Sequence, residues 1–174
     1  MNETIRYFAP TKDAASSLGA MARQAFSDTF AHLYDPAQFA QFLEEAYGPG
    51  GSMERSLDDP SIQWQVAAVG DRPIGYVKLS PLVAPAPAPQ AGAMELGQIY
   101  VLSPWHGQGV ADRLINWAFE TARAAGAPEI YLTVFDHNTR AKRFYSRHGF
   151  SEVGRCTFRL GDRVDDDRVW RKIL

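Results

Sequence analysis

Two polar side chains on one predicted helix have the types and spacing for chemistry on an extended ligand. Asn138 and Tyr145 lie in the segment 138–150, and residues at i, i+3 and i+7 share one helix face, with Ala141 between them. The two polar groups are then about 10 Å apart along the axis. The asparagine can hold a long ligand, and the phenol can donate a proton to a leaving group. A structural alternative makes Asn138 a helix cap and Tyr145 a packing residue beside Phe144.

A glycine turn upstream has the features of an anion site. Pro104 precedes Gly107 and Gly109, and a helix is predicted from 109 to 125. Glycine removes the side-chain obstruction, and the helix amino terminus offers unpaired N–H groups and about half a positive charge. A dinucleotide fingerprint would need glycine where the chain has Asp112, and a P-loop would need glycine, lysine and Ser/Thr from that position. Neither motif is present, so the turn predicts a pyrophosphate site of another kind or a tight connection.

The composition limits the class of protein. The chain has 174 residues, of which 45% are hydrophobic, which fits a single domain over residues 1–174. A formal charge of −2 and a pI near 6.1 provide no basic field for nucleic acid or an anionic membrane. Cys156 is the sole cysteine, and the histidines lack ligand spacing, so we expect neither a disulfide nor a metal. The start of the chain does not resemble a leader and no apolar run approaches a membrane span, so the expected location is the cytoplasm.

The order of predicted elements places both motifs beside a central pair of strands. Strands are predicted over 4–8, 62–69, 74–79, 94–101, 129–135, 152–160 and 168–173, and helices after Thr11, from Asp35-Pro36 to Gly48, near 53–57, over 109–125 and over 138–148. The strand–helix–strand order of 94–135 implies a parallel pair with a right-handed crossover. Residues 81–89 alternate proline with alanine and are predicted to be extended. Gly97, inside a strand, predicts a bulge or a close backbone approach.

The two motifs together resemble those of the GCN5-related N-acetyltransferase (GNAT) superfamily. Its patterns are Val-x-x-Pro-x-[Arg/Gln]-Gly-x-Gly-x-[Gly/Ala] and Asn-x-x-Ala-x-x-Phe-Tyr-x-x-x-Gly-Phe, which residues 101–111 and 138–150 follow. One departure is His106, where the family usually has arginine or glutamine. The resemblance covers the chain and implies a single-domain α/β (α+β) fold. In that fold a mixed, mostly antiparallel sheet of six to seven strands has a parallel fourth and fifth strand and about four flanking helices.

The resemblance implies acetyl-CoA as the co-substrate. The backbone of Ile99, Tyr100 and Val101 would pair with the pantetheine arm, Asn138 would bond the arm further along, and Tyr145 would sit at the sulfur. The pyrophosphate would be held across the turn by His106, Gly107, Gln108, Gly109, Val110, Ala111 and Asp112. A carboxylate at position 112 would repel phosphates if it pointed inward, so we expect it to point outward.

Acetyl transfer to an amine needs a base, a donor for the oxyanion and an acid for the thiolate. Glu95 lies on the strand that should face the thioester, six residues before Val101, and is the predicted base; a solvated strand carboxylate is the alternative. The Ile99 amide is the predicted oxyanion donor, and Tyr145 the predicted acid. Attack would be direct, because Cys156 has no histidine nearby in sequence to activate it.

The acceptor is expected to be a small primary amine. Residues 25–36 and the ending 158–167 resemble bacterial members of the spermidine/spermine N-acetyltransferase type, which implies a polyamine. Carboxylate and aromatic side chains would bind it, and the predicted substrate-binding residues are Phe30, Tyr34, Trp64, Tyr76 and Glu95. Asp165 to Asp167 are predicted to form a solvated turn. A protein lysine or amino-terminal acceptor and a CoA-binding module without turnover are the alternatives, and the β-rich carboxyl end is compatible with a homodimer.

Overall fold

The structure is a computed structural model that describes residues 4–174. These residues form seven strands and five α-helices. The strands are β1 (Ile5–Phe8), β2 (Gln63–Val69), β3 (Arg72–Pro81), β4 (Met94–Val101), β5 (Glu129–Phe135), β6 (Ser151–Leu160) and β7 (Arg163–Ile173). The helices are α1 (Ala15–Phe30), α2 (Pro36–Tyr47), α3 (Ser52–Leu57), α4 (Val110–Ala124) and α5 (Thr139–Arg147).

The strands form one mixed sheet in the order β1-β2-β3-β4-β5-β7-β6. Neighbouring strands are antiparallel, except for the parallel pair β4 and β5, which α4 connects. This arrangement confirms the fold class expected from the sequence.

Helices cover both faces of the sheet. On one face, Leu114 of α4 lies in a buried cluster with Ile130 of β5. On the other face, Phe26 of α1 and Leu43 of α2 pack with Tyr76 of β3. The buried residues of α4 recur at helical spacing, which explains why this segment is a helix packed on a sheet: Val110, Leu114, Ile115, Ala118, Phe119 and Ala122. No helix within residues 4–174 is long and apolar enough to cross a membrane.

The start of α2 is fixed by local capping. Asp35 Oδ1 accepts hydrogen bonds from the backbone N–H groups of Ala37 and Gln38, each at 3.0 Å, and Pro36 occupies the first turn. Such a cap stabilises a helix by about 1 kcal/mol. The cap also holds Tyr34 immediately before the helix, next to the cleft described below.

A bulge interrupts β4 where the sequence predicts one. Lys78 pairs with Gln98 and Leu79 pairs with Leu96, so Gly97 is an extra residue on β4. A bulge bends its strand and increases the local twist. The register of β4 against β3 therefore changes at Gly97, directly before the residues that the sequence assigns to a ligand.

The parallel strands β4 and β5 pair along a short stretch. Their register includes Met94 with Ile130 and Glu95 with Tyr131, with no pair beyond these among the described residues. Past this point the strands diverge toward their carboxyl ends. The sheet is split at the end of the strands where ligands commonly bind in open α/β sheets.

Strand β7 begins five residues earlier than predicted, at Arg163 instead of Arg168. Asp165, Asp166 and Asp167 are therefore part of a strand, and the prediction of a solvated turn is wrong. The reason is tertiary, since β7 lies between β5 and β6 and pairs with both. Ladder hydrogen bonds to β6 keep this charged segment extended despite the low strand propensity of aspartate.

Candidate active site

The divergence of β4 and β5 opens a cleft with a volume of about 610 Å³. Residues 96–101 of β4 form one wall, and residues 133–135 of β5 together with one face of α5 form the other. The cleft extends from the turn before α4 at one end to the aromatic side chains of α1 and α2 at the other. This elongated shape suits an extended ligand whose two ends meet different chemistry.

Part of the β4 backbone faces the cleft. The Leu102 N–H donates to the Ile74 carbonyl oxygen of β3 at 2.9 Å. Because successive N–H groups of a strand point to opposite sides, the Tyr100 N–H also faces β3, whereas those of Ile99 and Val101 face the side from which β5 has separated. An extended ligand arm can pair with these exposed backbone groups as an added strand would.

The turn before α4 presents backbone donors. Gly107 and Gly109 have φ angles of 74° and 79°, and no atom lies within 4 Å of the Cβ that either would carry. Glycine is thus required for the left-handed backbone, not for space. Gly109 caps α4 without a side chain, and the Arg113 N–H makes a helical bond to its carbonyl. The N–H groups of residues 110–112 have no acceptor in the helix, as anion binding requires.

Three arginines of α5 make this end of the cleft basic although the whole chain carries −2. Arg140, Arg143 and Arg147 line the cleft. Arg140 Nη1 is 2.7 Å from His106 Nδ1, and His106 Nε2 is 2.7 Å from the Val101 carbonyl oxygen. Since a guanidinium only donates, Nδ1 accepts and Nε2 carries the proton. His106 therefore donates from Nε2 to the Val101 carbonyl and accepts from Arg140 at Nδ1.

Asp112 lies in this basic region with its carboxylate turned toward α5. Its Oδ1 is 3.2 Å from Arg147 Nη2 and 3.1 Å from His148 Nε2. These contacts balance the negative charge at the start of α4. The carboxylate consequently does not point at the backbone donors of the turn.

Asn138 and Tyr145 both line the cleft. Asn138 Oδ1 caps α5 by accepting from the Ala141 N–H at 3.1 Å, while its NH₂ group makes no hydrogen bond within residues 4–174. Tyr145 is 9% exposed, and its hydroxyl likewise has no partner among the described residues. Burial raises the pKa of the Tyr145 phenol, which therefore stays protonated across the neutral range. The capping role uses only the side-chain oxygen of Asn138, and its NH₂ group stays available to a ligand. The packing role of Tyr145 uses its ring and leaves its hydroxyl available.

The far end of the cleft is aromatic. Its rings come from α1, α2, the loop between them and β6: Phe26, Phe30, Tyr34, Phe42 and Phe158. The centroids of Phe26 and Phe30 are 4.8 Å apart, and those of Phe42 and Phe158 are 5.9 Å apart. These contacts form a continuous apolar wall around the space beyond Tyr145.

Two buried carboxylates of β7 line the same end of the cleft. Asp165 is 4% exposed and accepts hydrogen bonds from the Tyr34 hydroxyl at 2.5 Å and from Arg163 Nε at 2.6 Å. Asp167 is 9% exposed. Burial and the charge of Asp165 raise the pKa of Asp167 to about 6, although Arg168 opposes the shift. The cleft therefore has a basic end and an acidic, aromatic end.

Comparison with known proteins identifies the family. The sequence pattern of the acetyltransferase (GNAT) family matches residues 21–150 of the chain. The chain belongs to the GNAT family. An uncharacterized N-acetyltransferase of Mycobacterium tuberculosis is 31% identical over 155 residues, which cover 89% of this chain and 94% of the relative. The aminoalkylphosphonate N-acetyltransferase of Salmonella typhimurium is 31% identical over 97 residues, or 56% of this chain and 62% of the relative.

The fold comparison agrees with the family assignment. The crystal structure of PaiA N-acetyltransferase from Thermoplasma acidophilum in complex with coenzyme A superposes with a TM-score of 0.77. The two chains are 20% identical, and the match covers 98% of this chain and 99% of the other. With the family match and the relatives named above, the chain is an N-acetyltransferase of the GNAT fold.

The structure brings together most of the residues that the sequence assigns to the co-substrate. The following line the cleft: Ile99, Tyr100, Val101, His106, Gly107, Gly109, Val110, Ala111, Asp112, Asn138 and Tyr145. Gln108 is the exception, since its side chain donates to the Pro104 carbonyl at 2.8 Å and does not reach the cleft. Of the residues assigned to the acceptor, Phe30 and Tyr34 lie at the aromatic end.

Two aromatic residues assigned to the acceptor lie elsewhere. Trp64 is 5% exposed and packs on Tyr76, with ring centroids 5.7 Å apart. Tyr76 is fully buried, and its hydroxyl donates to Gln98 Oε1 at 3.1 Å. Both side chains are buried against each other, and packing is their role in this GNAT domain. Their assignment to substrate binding is corrected accordingly.

Glu95 also lies away from the cleft. Its Oε2 accepts hydrogen bonds from the backbone N–H groups of Val83 and Ala84, at 2.8 and 2.7 Å. Its neighbours Leu96 and Gly97 line the cleft, but Glu95 does not. The physical reason is position along the strand, because β4 is still paired with β5 at Glu95 and the cleft opens only beyond this point. Glu95 holds the proline-rich connection 82–92, and we do not propose it as the base.

Asp165 and Asp167 are site residues that the sequence reasoning missed. In a strand, alternate residues share a face, so Asp165, Asp167 and the buried Val169 point to the same side. This alternation, continued backward from Val169, was the sequence signal that could have identified them.

Among residues 4–174, no group of three or more His, Cys, Asp or Glu side chains is placed to hold a metal ion.

Proposed function

We propose that this GNAT chain transfers the acetyl group of acetyl-CoA directly to a primary amine of a small molecule. The observation that carries the proposal is the continuity of the cleft. One cavity connects the donor-rich turn before α4, the exposed β4 backbone, the Tyr145 hydroxyl and the acidic, aromatic end. An acetyl thioester bound along β4 would have its phosphates at the basic end and its acyl group facing the carboxylates.

The co-substrate would be held mainly by backbone groups. The amides of residues 110–112 and the guanidinium groups of Arg140, Arg143 and Arg147 suit its phosphates. The cleft-facing backbone of Ile99 and Val101 suits the two amides of its arm, and the Asn138 NH₂ group adds a donor. Replacement of the family's arginine or glutamine by His106 leaves these backbone donors in place.

The acetyl transfer would use two residues at the centre of the cleft. The Ile99 N–H, which faces the cleft, would stabilise the oxyanion that forms when the amine attacks the thioester carbonyl. The Tyr145 phenol, protonated and without a partner, would give its proton to the departing thiolate. Cys156 does not line the cleft, and burial raises the pKa of its thiol. Direct transfer is therefore favoured over an acetylated cysteine.

A small-molecule acceptor is favoured because side chains from four elements, α1, α2, β6 and β7, converge on the acceptor end. A protein lysine or amino terminus is the alternative acceptor. The polyamine and the spermidine/spermine-type subfamily have less support, because Trp64, Tyr76 and Glu95 do not reach the cleft. The cytoplasmic location and a homodimer stay predictions from the sequence.

An amine panel tests the proposal. Release of free CoA from acetyl-CoA would be measured with alkylamines, aralkylamines, polyamines, amino acids and lysine peptides, alongside acetyl-CoA binding by calorimetry. We expect acceleration by small primary amines. Acceleration by peptides alone would favour the protein acceptor. Acetyl-CoA binding without acceleration by any amine would contradict the proposal and favour a module that binds CoA without turnover.

A further inference from the structure

The carboxylate of Asp167 differs from the other carboxylates that line the cleft. Asp112 is balanced by Arg147 and His148 at the basic end, and Asp165 is bonded to Tyr34 and Arg163. Asp167 is more than nine-tenths buried, lines the cleft, and accepts no side-chain or backbone hydrogen bond through its carboxylate within residues 4–174. It is the unpaired acid of the acceptor end.

An unpaired buried carboxylate is costly. Partial desolvation disfavours the charged form of such a group unless a cation or donor compensates for it. The titratable groups around Asp167 come from several elements. They are Asp165 on the same face of β7, the sequence neighbours Asp166 and Arg168 on its opposite face, Cys156 paired with it on β6, Tyr100 on β4, and Tyr34 before α2. Arg168, the cation among them, is bonded to Asp136 Oδ2 at 2.9 Å. A cationic group on a bound ligand would therefore provide the charge partner that Asp167 lacks among the described residues.

Asp167 also lines the same cleft as Tyr145. Asp167 pairs with Phe135, the last residue of β5, and Phe135 lines the cleft as Tyr145 does. An amine nitrogen beside Asp167 would lie on the side of the cleft that Tyr145 also faces.

The side chains around Asp167 indicate which kind of acceptor molecule would carry the ammonium group. The aromatic wall described above offers ring faces to an ammonium and apolar contact to its stem. The described lining of the acceptor end contains one unpaired carboxylate, so one positive charge is matched there. The further charges of a polyamine would find no second unpaired carboxylate in that described lining.

We propose that Asp167 binds the ammonium group of the acceptor and takes its first proton, and that the acceptor is a singly charged primary amine on an apolar stem. This inference rests on the proposed function. One N–H bond of the ammonium breaks as its proton moves to the Asp167 carboxylate and then to solvent. The freed lone pair forms the C–N bond at the thioester carbonyl. When the C–S bond breaks, Tyr145 protonates the thiolate and regains a proton from the amine nitrogen.

Binding tests the inference without turnover. Benzylamine and its neutral analogue benzyl alcohol would be titrated by calorimetry into the CoA-saturated protein, with the wild type, Asp167→Asn and Asp166→Asn compared. Asp166 is the matched control, because it is exposed on the opposite face of the same strand. We expect benzylamine to bind the wild type and D166N alike and D167N at least about tenfold more weakly. Benzyl alcohol should bind all three equally. Equal binding of benzylamine to D167N, or none to the wild type, overturns the proposal.

Kinetics separate this inference from the proposed function. With benzylamine as acceptor, D167N should lower kcat/KM about 10²- to 10⁴-fold and remove the acidic limb of the pH profile near pH 6, with CoA affinity unchanged. Asp167→Ser provides a second variant if D167N folds poorly. A wild type that releases no CoA with any amine would defeat the proposed function. Normal turnover by D167N with an unchanged pH profile would defeat only the role of Asp167.

Discussion

The side chain of Asn138 uses its oxygen to cap α5 and presents its NH₂ group to the cleft. The two roles can be separated because serine also caps helices well but has no amide donor. Tyr145 differs, since its ring packs in the core while its hydroxyl has no partner among the described residues. At the scale of single residues, structural and chemical roles coexist in one side chain.

Asn138→Ser should weaken acetyl-CoA binding about three- to tenfold, the value of one hydrogen bond, while the free energy of unfolding changes by less than about 0.5 kcal/mol. Asn138→Ala removes both functions and should also lower the free energy of unfolding by about 1 kcal/mol. Calorimetry with acetyl-CoA and urea unfolding measure the two effects. If N138S binds acetyl-CoA like the wild type, Asn138 acts as a cap alone.

Tyr145→Phe should lower kcat about 10²- to 10⁴-fold and leave the acetyl-CoA dissociation constant within about twofold, because the ring is retained and the proton donor lost. Steady-state assays of CoA release measure kcat, and calorimetry measures the acetyl-CoA dissociation constant. Unchanged turnover would refute the assignment of Tyr145 as the acid.

At the scale of elements, the turn before α4 and the bulge in β4 position the backbone that the ligand meets. The turn needs glycine for its left-handed φ angles. The bulge at Gly97 shifts the register of β4 within the cleft wall, and Glu95 lies outside the cleft because β4 is still paired with β5 there. The carboxylate of Glu95 instead anchors the start of the proline-rich connection.

Gly109→Ala should lower the free energy of unfolding by about 1 to 2 kcal/mol, because alanine strains a left-handed backbone. It should also weaken acetyl-CoA binding by displacing the amides of the turn. Gly126→Ala is the matched control, since Gly126 has a φ of 77° and open space around it but lies outside the cleft. Both variants should lose stability and only G109A should lose affinity. Equal affinity of the two variants for acetyl-CoA would contradict the assignment of the turn before α4 as the phosphate-binding site.

Glu95→Ala should lower the free energy of unfolding by about 1 to 3 kcal/mol, as two charge-assisted hydrogen bonds are lost. Glu95→Gln keeps an acceptor oxygen and should be less destabilised. Both should retain kcat within about threefold. A drop of about 100-fold in E95Q, with stability intact, would instead support the base role predicted from the sequence.

At the scale of the whole molecule, the cleft separates charge within a chain whose net charge is only −2. Arginines of α5 occupy one end, and carboxylates of β7 occupy the other. An anionic co-substrate and a cationic acceptor would thus be oriented in opposite directions before reaction. The unpaired Asp167 makes this arrangement costly to the fold.

The cost of Asp167 should appear in global stability. Its pKa is raised to about 6 in the folded protein, above the roughly 3.9 of an unfolded chain. The folded state then binds the proton more tightly, so this residue lowers the free energy of unfolding as the pH rises from about 4 to 6. The free energy of unfolding of Asp167→Asn should be about 1 kcal/mol higher than that of the wild type above pH 7, after allowance for solvent in the cleft. Near pH 4 the two free energies should be equal. Urea unfolding across pH, with D166N as control, measures this difference, and no gain at pH 7 would contradict it.

The sequence by itself determined the features that depend on nearby residues. The bounds of β4 and β5, the glycine turn and the α5 cap follow from local spacing, capping and backbone restrictions, and the family follows from the same two motifs. The acidic end of the cleft was decided by tertiary structure. Asp165 and Asp167 belong to a strand because β7 pairs with β5 and β6. Glu95 lies outside the cleft because β4 still pairs with β5 there and its carboxylate binds the N–H groups of Val83 and Ala84. Strand pairing and register arise from contacts between distant segments, which local spacing does not encode.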